Sequence, residues 1–168
     1  IAVLYPYLED LSAYLGAFSA VISLVSVYKM YGSTFTFSIE WLPSIGLNLA
    51  FYSDGLALMM ATLASGIGIL VFIYSKYYME HSSRKRKYYT VLTAFMGSMI
   101  GLVFSSNLFL LFLFWELTSI CSFLLISHHQ AASEAVYASR KSLLITVGAG
   151  MMLLIGFLIL GETLGTYS

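Results

Sequence analysis

Five long apolar segments, separated by short polar stretches, restrict the folds that this chain can adopt. A helix needs about 20 mostly apolar residues to cross a bilayer, and only 10% of the 168 residues are charged. The sequence therefore predicts an all-α polytopic membrane protein that forms a single membrane domain over residues 1–168. The expected transmembrane helices are approximately Leu11–Tyr28, Leu56–Ser75, Tyr88–Phe104, Leu108–Ile126 and Ser142–Leu160.

Residues 34–52, between the first two apolar segments, follow a different pattern. Apolar and polar residues alternate from Thr34 to Trp41 and again from Leu47 to Phe51. A period of two residues is typical of a strand with one buried face. The segment between the two runs contains Pro43 and Gly46, so the sequence predicts a β-hairpin outside the membrane.

The basic residues predict the orientation of the bundle. Seven of the eight Lys and Arg residues fall within or beside the loops 76–87 and 127–140, whereas Lys29 lies at the opposite end. Basic loops of membrane proteins are usually cytoplasmic, so residues 31–55, including the hairpin, are expected to be extracytoplasmic. A basic loop can also bind nucleic acid or anionic lipid. In a polytopic protein the topological interpretation is favoured, and no nucleic-acid partner is expected.

Glu116 is the main candidate for a functional residue. It stands in the middle of the fourth apolar segment, which contains no basic residue. Because an ionised carboxylate is costly in hydrocarbon, Glu116 is expected to face the bundle interior, pair with a cation or be protonated. On a helix it shares a face with several phenylalanines and with Ser119, which is a candidate residue of the ion path. The functional interpretation is a proton relay; the structural one is a neutral carboxyl hydrogen-bonded to a neighbouring helix.

Three other polar residues each have two interpretations. Lys141 is either a counter-charge for Glu116 or a lysine that anchors the helix end at the interface. Asp54 is either the N-cap of the second helix or part of an outer ion entrance. The adjacent residues His128 and His129 lack metal-ligand spacing, so His129 is either a surface proton collector or simply exposed.

The sequence contains no motif for catalysis or for a cofactor. The single cysteine, Cys121, excludes an internal disulfide framework and a cysteine-based zinc site. No phosphate-binding loop or nucleophile elbow is present. We therefore expect no catalytic centre, no metal site and no cofactor in this chain.

Several strings resemble the large subunit of multisubunit Na⁺/H⁺ antiporters of the Mrp type. The superfamily also supplies antiporter-like subunits of complex I and of membrane-bound hydrogenases. The resemblance implies that Glu116 is the family's fifth-helix glutamate, that Lys141 is a sixth-helix lysine, and that the chain runs from the end of helix one through helix six of an inverted-repeat bundle. The similar strings are Phe114-Trp115-Glu116-Leu117-Thr118-Ser119, Lys141-Ser142-Leu143-Leu144-Ile145, Trp41-Leu42-Pro43-Ser44-Ile45-Gly46, Asp54-Gly55-Leu56 and Phe95-Met96-Gly97-Ser98-Met99.

The resemblance leads to one main functional expectation and two alternatives. The main one is a subunit that translocates protons and a cation, expected to be Na⁺, together with other membrane subunits in a prokaryotic plasma membrane. The first alternative is the homologous pump subunit of a redox-driven complex, such as NADH–quinone oxidoreductase or membrane-bound hydrogenase. The second is a purely structural membrane scaffold. Residues 1–168 lack the family's later helices, so autonomous antiport is not expected.

Overall fold

The computed structural model describes residues 5–42, 47–79, 84–128 and 133–165. In these ranges the chain forms five long helices and one two-stranded antiparallel sheet, which confirms the predicted fold class. In chain order the elements are α1 (Tyr5–Lys29), β1 (Phe35–Leu42), β2 (Leu47–Ser53), α2 (Gly55–Tyr78), α3 (Lys85–Phe104), α4 (Leu108–Ile126) and α5 (Ser133–Leu164).

All five helices are long and apolar enough to cross a membrane. The predicted bounds of α4 are those observed, whereas α3 begins three residues earlier than expected, at Lys85. The larger difference concerns α5, which begins at Ser133 rather than Ser142 and contains 32 residues. At 1.5 Å per residue α5 is about 48 Å long, which exceeds the roughly 30 Å of a hydrocarbon core. Lys141 therefore lies within a continuous helix and not at its beginning.

The turn between α3 and α4 is tight because the local sequence ends one helix and starts the next. The Asn107 side chain accepts a hydrogen bond from the backbone N–H of Phe109 (2.8 Å) and caps α4. Gly101 of α3 lies directly against the ring of Phe114; a Cβ atom at Gly101 would come 2.5 Å from that ring. This close approach joins α3 and α4 in a tight helical hairpin and fixes how α4 is rotated against α3.

The β-hairpin lies against this turn. Its strands pair in the register Phe37 opposite Phe51 and Ile39 opposite Leu49, so the predicted hairpin is present. The N–H of Ser106 donates to the carbonyl of Ala50 (3.0 Å), and the Phe51 ring packs 6.2 Å from the Phe114 ring. The hairpin is thus attached to the same end of α4 as the α3–α4 turn. The predicted Pro/Gly turn at 43–46 lies outside the described residues.

Two apolar clusters hold α1, α2 and α3 together. One contains Ala20, Phe72 and Tyr89, and the other contains Val27 and Leu58. The described part of α5 packs against α4 and leaves most of its apolar side chains exposed. The three-helix core therefore supports α4 on one side, and α5 covers part of the other side.

Candidate functional site

Glu116 lies at the centre of α4. It follows Leu108 by eight residues and precedes Ile126 by ten, which places it about 12 Å and 15 Å from the two helix ends. Because α4 is one of the helices able to span a bilayer, the carboxyl group is at mid-membrane depth. No position in a bilayer is more costly for an unpaired charge.

Gly150 of α5 is the residue that receives the Glu116 carboxyl group. A Cβ atom built on Gly150 would overlap Glu116 Oε1 and would come 3.2 Å from Cδ. Gly150 is buried and lies in the middle of the apolar part of α5. The absence of a side chain at this position is what lets the carboxyl group fit between the two helices.

The oxygen that faces Gly150 makes no hydrogen bond within the part of the chain that the structure describes. Glu116 Oε1 is fully buried and unpaired. A buried polar atom without a partner costs about 1–3 kcal/mol, and more when the group is charged. The described residues therefore leave this oxygen without the hydrogen-bond donor that usually compensates the burial of a polar atom.

The other side of Glu116 borders an open groove of about 610 Å³. Residues of α4 from Phe109 to Ile120 line the groove, together with Asn48 and Leu49 of β2. Glu116 and Asn48 are the polar residues among those that line it, and none of them is a cation. The groove thus extends from mid-membrane to the end of the bundle that carries the hairpin.

The rotation of α4 determines which residue faces this groove and α5. Phe114 is held between Gly101 of α3 and Phe51 of β2. Glu116 follows it by two residues, about 200° around the helix, so it points away from the α1–α2–α3 core. Phe114 therefore acts as the packing anchor that turns the carboxyl group toward α5.

The structure does not bring Lys141 or Ser119 to the carboxyl group. Lys141 is exposed and precedes Gly150 by nine residues, which is about 13.5 Å along α5 and on its opposite face. Ser119 is buried, and its hydroxyl donates to the backbone carbonyl of Trp115 at 3.2 Å. In the described residues the carboxyl group lies against Gly150, and Lys141 is on the opposite face of α5.

The two remaining predicted positions lie elsewhere. Asp54 Oδ1 accepts a hydrogen bond from the N–H of Ala57 at 2.7 Å, so Asp54 is the N-cap of α2. His129 lies outside the described residues. Its neighbour His128 contacts the ring of Tyr88 edge-on, with 5.3 Å between the ring centroids. Across the described ranges, no group of three or more His, Cys, Asp or Glu residues could hold a metal ion.

Sequence reasoning did not identify Gly150 as part of the site. Gly148 and Gly150 both indicate a face suited to close packing, but the sequence does not say which of them meets another helix. In the structure a Cβ atom at Gly148 would meet no atom within 4 Å. The position of Asn48 at the groove was not predicted either. Strand alternation shows which face of the hairpin Asn48 occupies, but it does not show that α4 packs beside that face.

The fold and this site define a multi-pass membrane protein with a carboxyl group at the centre of the bilayer, whose buried Oε1 has no hydrogen-bond partner among the described residues. Two family models match the chain. Residues 41–89 match "NADH-Ubiquinone oxidoreductase (complex I), chain 5 N-terminus", and residues 105–168 match "NADH:quinone oxidoreductase/Mrp antiporter, TM".

Known proteins agree with these models. The chain is 44% identical over 139 residues to the A1 subunit of a Na⁺/H⁺ antiporter from Staphylococcus haemolyticus, covering 83% of this chain and 17% of that protein. It is 38% identical over 173 residues to the A/B subunit of a probable K⁺/H⁺ antiporter from Rhizobium meliloti, covering 99% and 17%. A chain of the Mrp complex from Dietzia sp. superposes with a TM-score of 0.83 at 30% identity, covering 99% of this chain and 19% of that one.

The chain therefore belongs to the family of antiporter-like membrane subunits that Mrp antiporters and complex I share. It spans about a fifth or less of the length of these relatives.

Proposed function

We propose that this chain is part of the cation- and proton-translocating subunit of an Mrp-type antiporter. Glu116 is the residue that takes up and releases the transported proton or cation. The observation that carries this proposal is the position of the Glu116 carboxyl: at mid-membrane, against Gly150, with Oε1 buried and without a hydrogen-bond partner in the described chain. Burying a carboxyl oxygen without a hydrogen-bond partner destabilises the fold. An acidic residue retained at such a position is therefore best explained by a function in transport.

The exchange follows from the two sides of the carboxyl group. On the α5 side the carboxyl group is buried against Gly150. On the other side the groove connects Glu116 with the hairpin end of the bundle. A cation that approaches through the groove favours the ionised form and displaces the proton. Proton release and cation binding are thereby linked at one oxygen pair.

The transported cation is Na⁺ or K⁺. The two named relatives differ on this point, one belonging to a Na⁺/H⁺ antiporter and the other to a probable K⁺/H⁺ antiporter. The described residues of the groove contain no ligand set that selects between the two ions. Other membrane subunits and the rest of the polypeptide complete the path, because these relatives are five to six times longer than this chain.

The orientation belongs to the same proposal. Loops 76–87 and 127–140 face the cytoplasm, and residues 31–55 face outward, in the plasma membrane of a prokaryote. The ends of α2 and α3 that carry Lys76 and Lys85 lie together, and basic ends of this kind are usually cytoplasmic. The bacterial relatives support the choice of membrane.

A transport assay with a neutral isostere tests the role of Glu116. The full-length subunit, assembled in its complex, is placed in everted vesicles, and collapse of a pH gradient on addition of Na⁺ or K⁺ is followed with a fluorescent dye. Glu116→Gln is expected to abolish cation-dependent proton movement. Glu162→Gln, at an exposed position near the end of α5, is the matched control and should retain it. Unaltered transport in Glu116→Gln complexes overturns the proposal and favours a structural scaffold.

A redox-driven pump subunit is the second candidate, because both family models carry complex I in their descriptions. The identity to antiporter subunits and the superposition on an Mrp complex favour the antiporter. The purified native complex distinguishes the two: an antiporter assembly should show no iron–sulfur absorption or paramagnetic signal. Such a signal, together with quinone- or hydrogen-dependent turnover, would select the second candidate.

A further inference from the structure

A second groove lies between α2 and α3, away from Glu116. It has a volume of about 220 Å³ and is lined by residues of α2 between Ala64 and Phe72, by residues of α3 between Leu92 and Met99, and by Leu125 of α4. Every residue that lines it is apolar. An open apolar groove between two membrane-spanning helices faces acyl chains unless protein covers it.

The groove runs along the helices for about 10 Å. Ala64 to Val71 on α2 and Leu92 to Met99 on α3 are each seven residues apart, and each residue contributes 1.5 Å. It is therefore about a third as long as the hydrocarbon core is thick. Its length and lining suit one extended section of an acyl chain.

A run of four basic residues stands at one end of this groove. Arg84 precedes α3, and Lys85, Arg86 and Lys87 form the first residues of that helix, whose first turn contains no acidic residue. Cations at the positive end of a helix destabilise it. The basic run is thus unfavourable for α3 itself and is complementary to an anion.

Lys85 lies directly above the groove. Leu92, Met96 and Met99 follow it by 7, 11 and 14 residues, so at about 100° per residue all three fall within roughly 40° of Lys85 around α3. Lys85 is half-buried and about 10 Å from Leu92 along the helix axis. A cation is therefore held over one end of an apolar groove on the same helix face.

Aromatic side chains occupy the level between the groove and Lys85. Tyr88 lies on the same face of α3 and contacts His128, three residues after Leu125. On α2 the rings of Tyr74 and Tyr78 stack at 6.0 Å and are exposed. Tyrosines of this kind mark the interface between hydrocarbon and water. From the groove toward this end of the bundle, the surface is therefore first apolar, then lined by interfacial tyrosines, and finally basic.

We propose that this groove is a binding site for an anionic phospholipid of the surrounding bilayer. One acyl chain lies between α2 and α3, and the phosphate binds Lys85 and the adjacent basic residues. The order of surfaces matches the order of the parts of a phospholipid, and basic pockets between helices at a cytoplasmic surface bind such headgroups. The site is independent of Glu116, and it rests on the proposed function only for the cytoplasmic orientation of the basic residues.

Photolabelling in nanodiscs tests this site. The full-length subunit in its complex is placed in phosphatidylcholine nanodiscs that contain a trace of lipid with a diazirine in its acyl chain. The headgroup of the probe is either phosphatidylglycerol or phosphatidylcholine, and labelled peptides are mapped by mass spectrometry. Labels are expected at residues 64–72 and 92–99, several-fold more with the phosphatidylglycerol probe.

Two variants with matched controls separate headgroup from acyl chain. Lys85→Gln should reduce the preference for phosphatidylglycerol about fivefold, whereas Lys29→Gln, at the other end of the bundle, should leave it unchanged. Ala64→Phe fills the groove and should reduce labelling by both probes, whereas Leu63→Phe, on an exposed position next to it, should not. Co-purification of the partner subunits confirms assembly of each variant.

Three results overturn the proposal. Equal labelling by both probes shows that the basic residues select no headgroup. A headgroup preference unaffected by Lys85→Gln places the anion elsewhere. Absence of label from residues 64–72 and 92–99 in the assembled complex shows that protein, and not lipid, covers the groove.

Discussion

Replacement of Gly150 by alanine tests the niche that holds the Glu116 carboxyl group. The new Cβ atom would overlap Glu116 Oε1, so either α4 and α5 separate or the side chain turns into the 610 Å³ groove. Because Oε1 is the end of a flexible side chain, the second response is cheaper, and the helices should stay assembled. Overpacking of this kind costs about 1–3 kcal/mol, which corresponds to a change of roughly 5- to 150-fold in the occupancy of the present position.

The expected result is a loss of transport without a loss of assembly. Gly150→Ala complexes should show cation-dependent proton movement reduced about tenfold or more in everted vesicles, with an altered pH dependence. Gly148→Ala is the matched control, because a Cβ atom there meets nothing within 4 Å. Alanine stabilises a helix interior relative to glycine by about 0.5–1 kcal/mol at either position, so the comparison isolates the contact with Glu116.

A double-mutant cycle makes the interpretation sharper. Glu116→Asp shortens the side chain by one methylene and relieves the overlap with alanine at position 150. The effects of Glu116→Asp and Gly150→Ala should therefore be clearly non-additive, as expected for residues in contact. Equal transport in Gly150→Ala and Gly148→Ala complexes, or strict additivity in the cycle, would refute the proposed niche.

Substitutions at Asp54 and Gly101 test the supporting structure. Asp54→Asn should retain full transport, because asparagine caps a helix as well as aspartate does. Asp54→Ala should lower stability by about 1 kcal/mol in thermal unfolding. Impaired transport in the Asp54→Asn complex would instead indicate that Asp54 is part of an ion entrance. Gly101→Ala should destabilise the complex by about 1–3 kcal/mol, because its Cβ atom meets the rigid Phe114 ring. Gly97→Ala should not destabilise the complex, because its Cβ atom meets nothing within 4 Å. Equal melting temperatures of the Gly101→Ala and Gly97→Ala complexes would show that the α3–α4 contact is looser than described.

The element types and the bounds of α4 could be predicted because the sequence carries explicit signals for them. Ser105 and Asn107 interrupt the apolar pattern, and asparagine is a preferred N-cap. The hairpin follows from alternation alone. In both cases a local pattern determines the structure, and the rest of the chain agrees with it.

The start of α5 could not be predicted from apolar content. Residues 133–141 mix polar, charged and apolar types, and a helix that extends beyond the hydrocarbon has no need of an apolar surface. The same reason explains the early start of α3, where Lys85 to Lys87 are helical. A search for membrane spans finds the apolar part of a helix and not its ends.

The candidate site was predicted in part. The sequence shows that Glu116 is an acidic residue within an apolar segment, and helical periodicity shows which residues share its face of α4. The contact with Gly150 depends on how α4 and α5 are rotated against each other. The contact between Phe114 and Gly101 sets the rotation of α4, and neither rotation can be read from the sequence. The pairing of Glu116 with Lys141 stays a prediction. Lys141 lies about 13.5 Å along α5 from Gly150, the residue that the carboxyl group contacts, and the chain covers only a fraction of the relatives' length.

Infrared difference spectroscopy on the complete complex tests the exchange at Glu116 most directly. Addition of Na⁺ or K⁺ to the purified, cation-free complex should remove the band of a protonated carboxyl group and release protons to the medium. Glu116→Gln complexes should show neither the band nor this proton release, while Glu162→Gln complexes should show both. A carboxyl band and proton release that persist in Glu116→Gln complexes would contradict the account, because cation and proton would then exchange at another group.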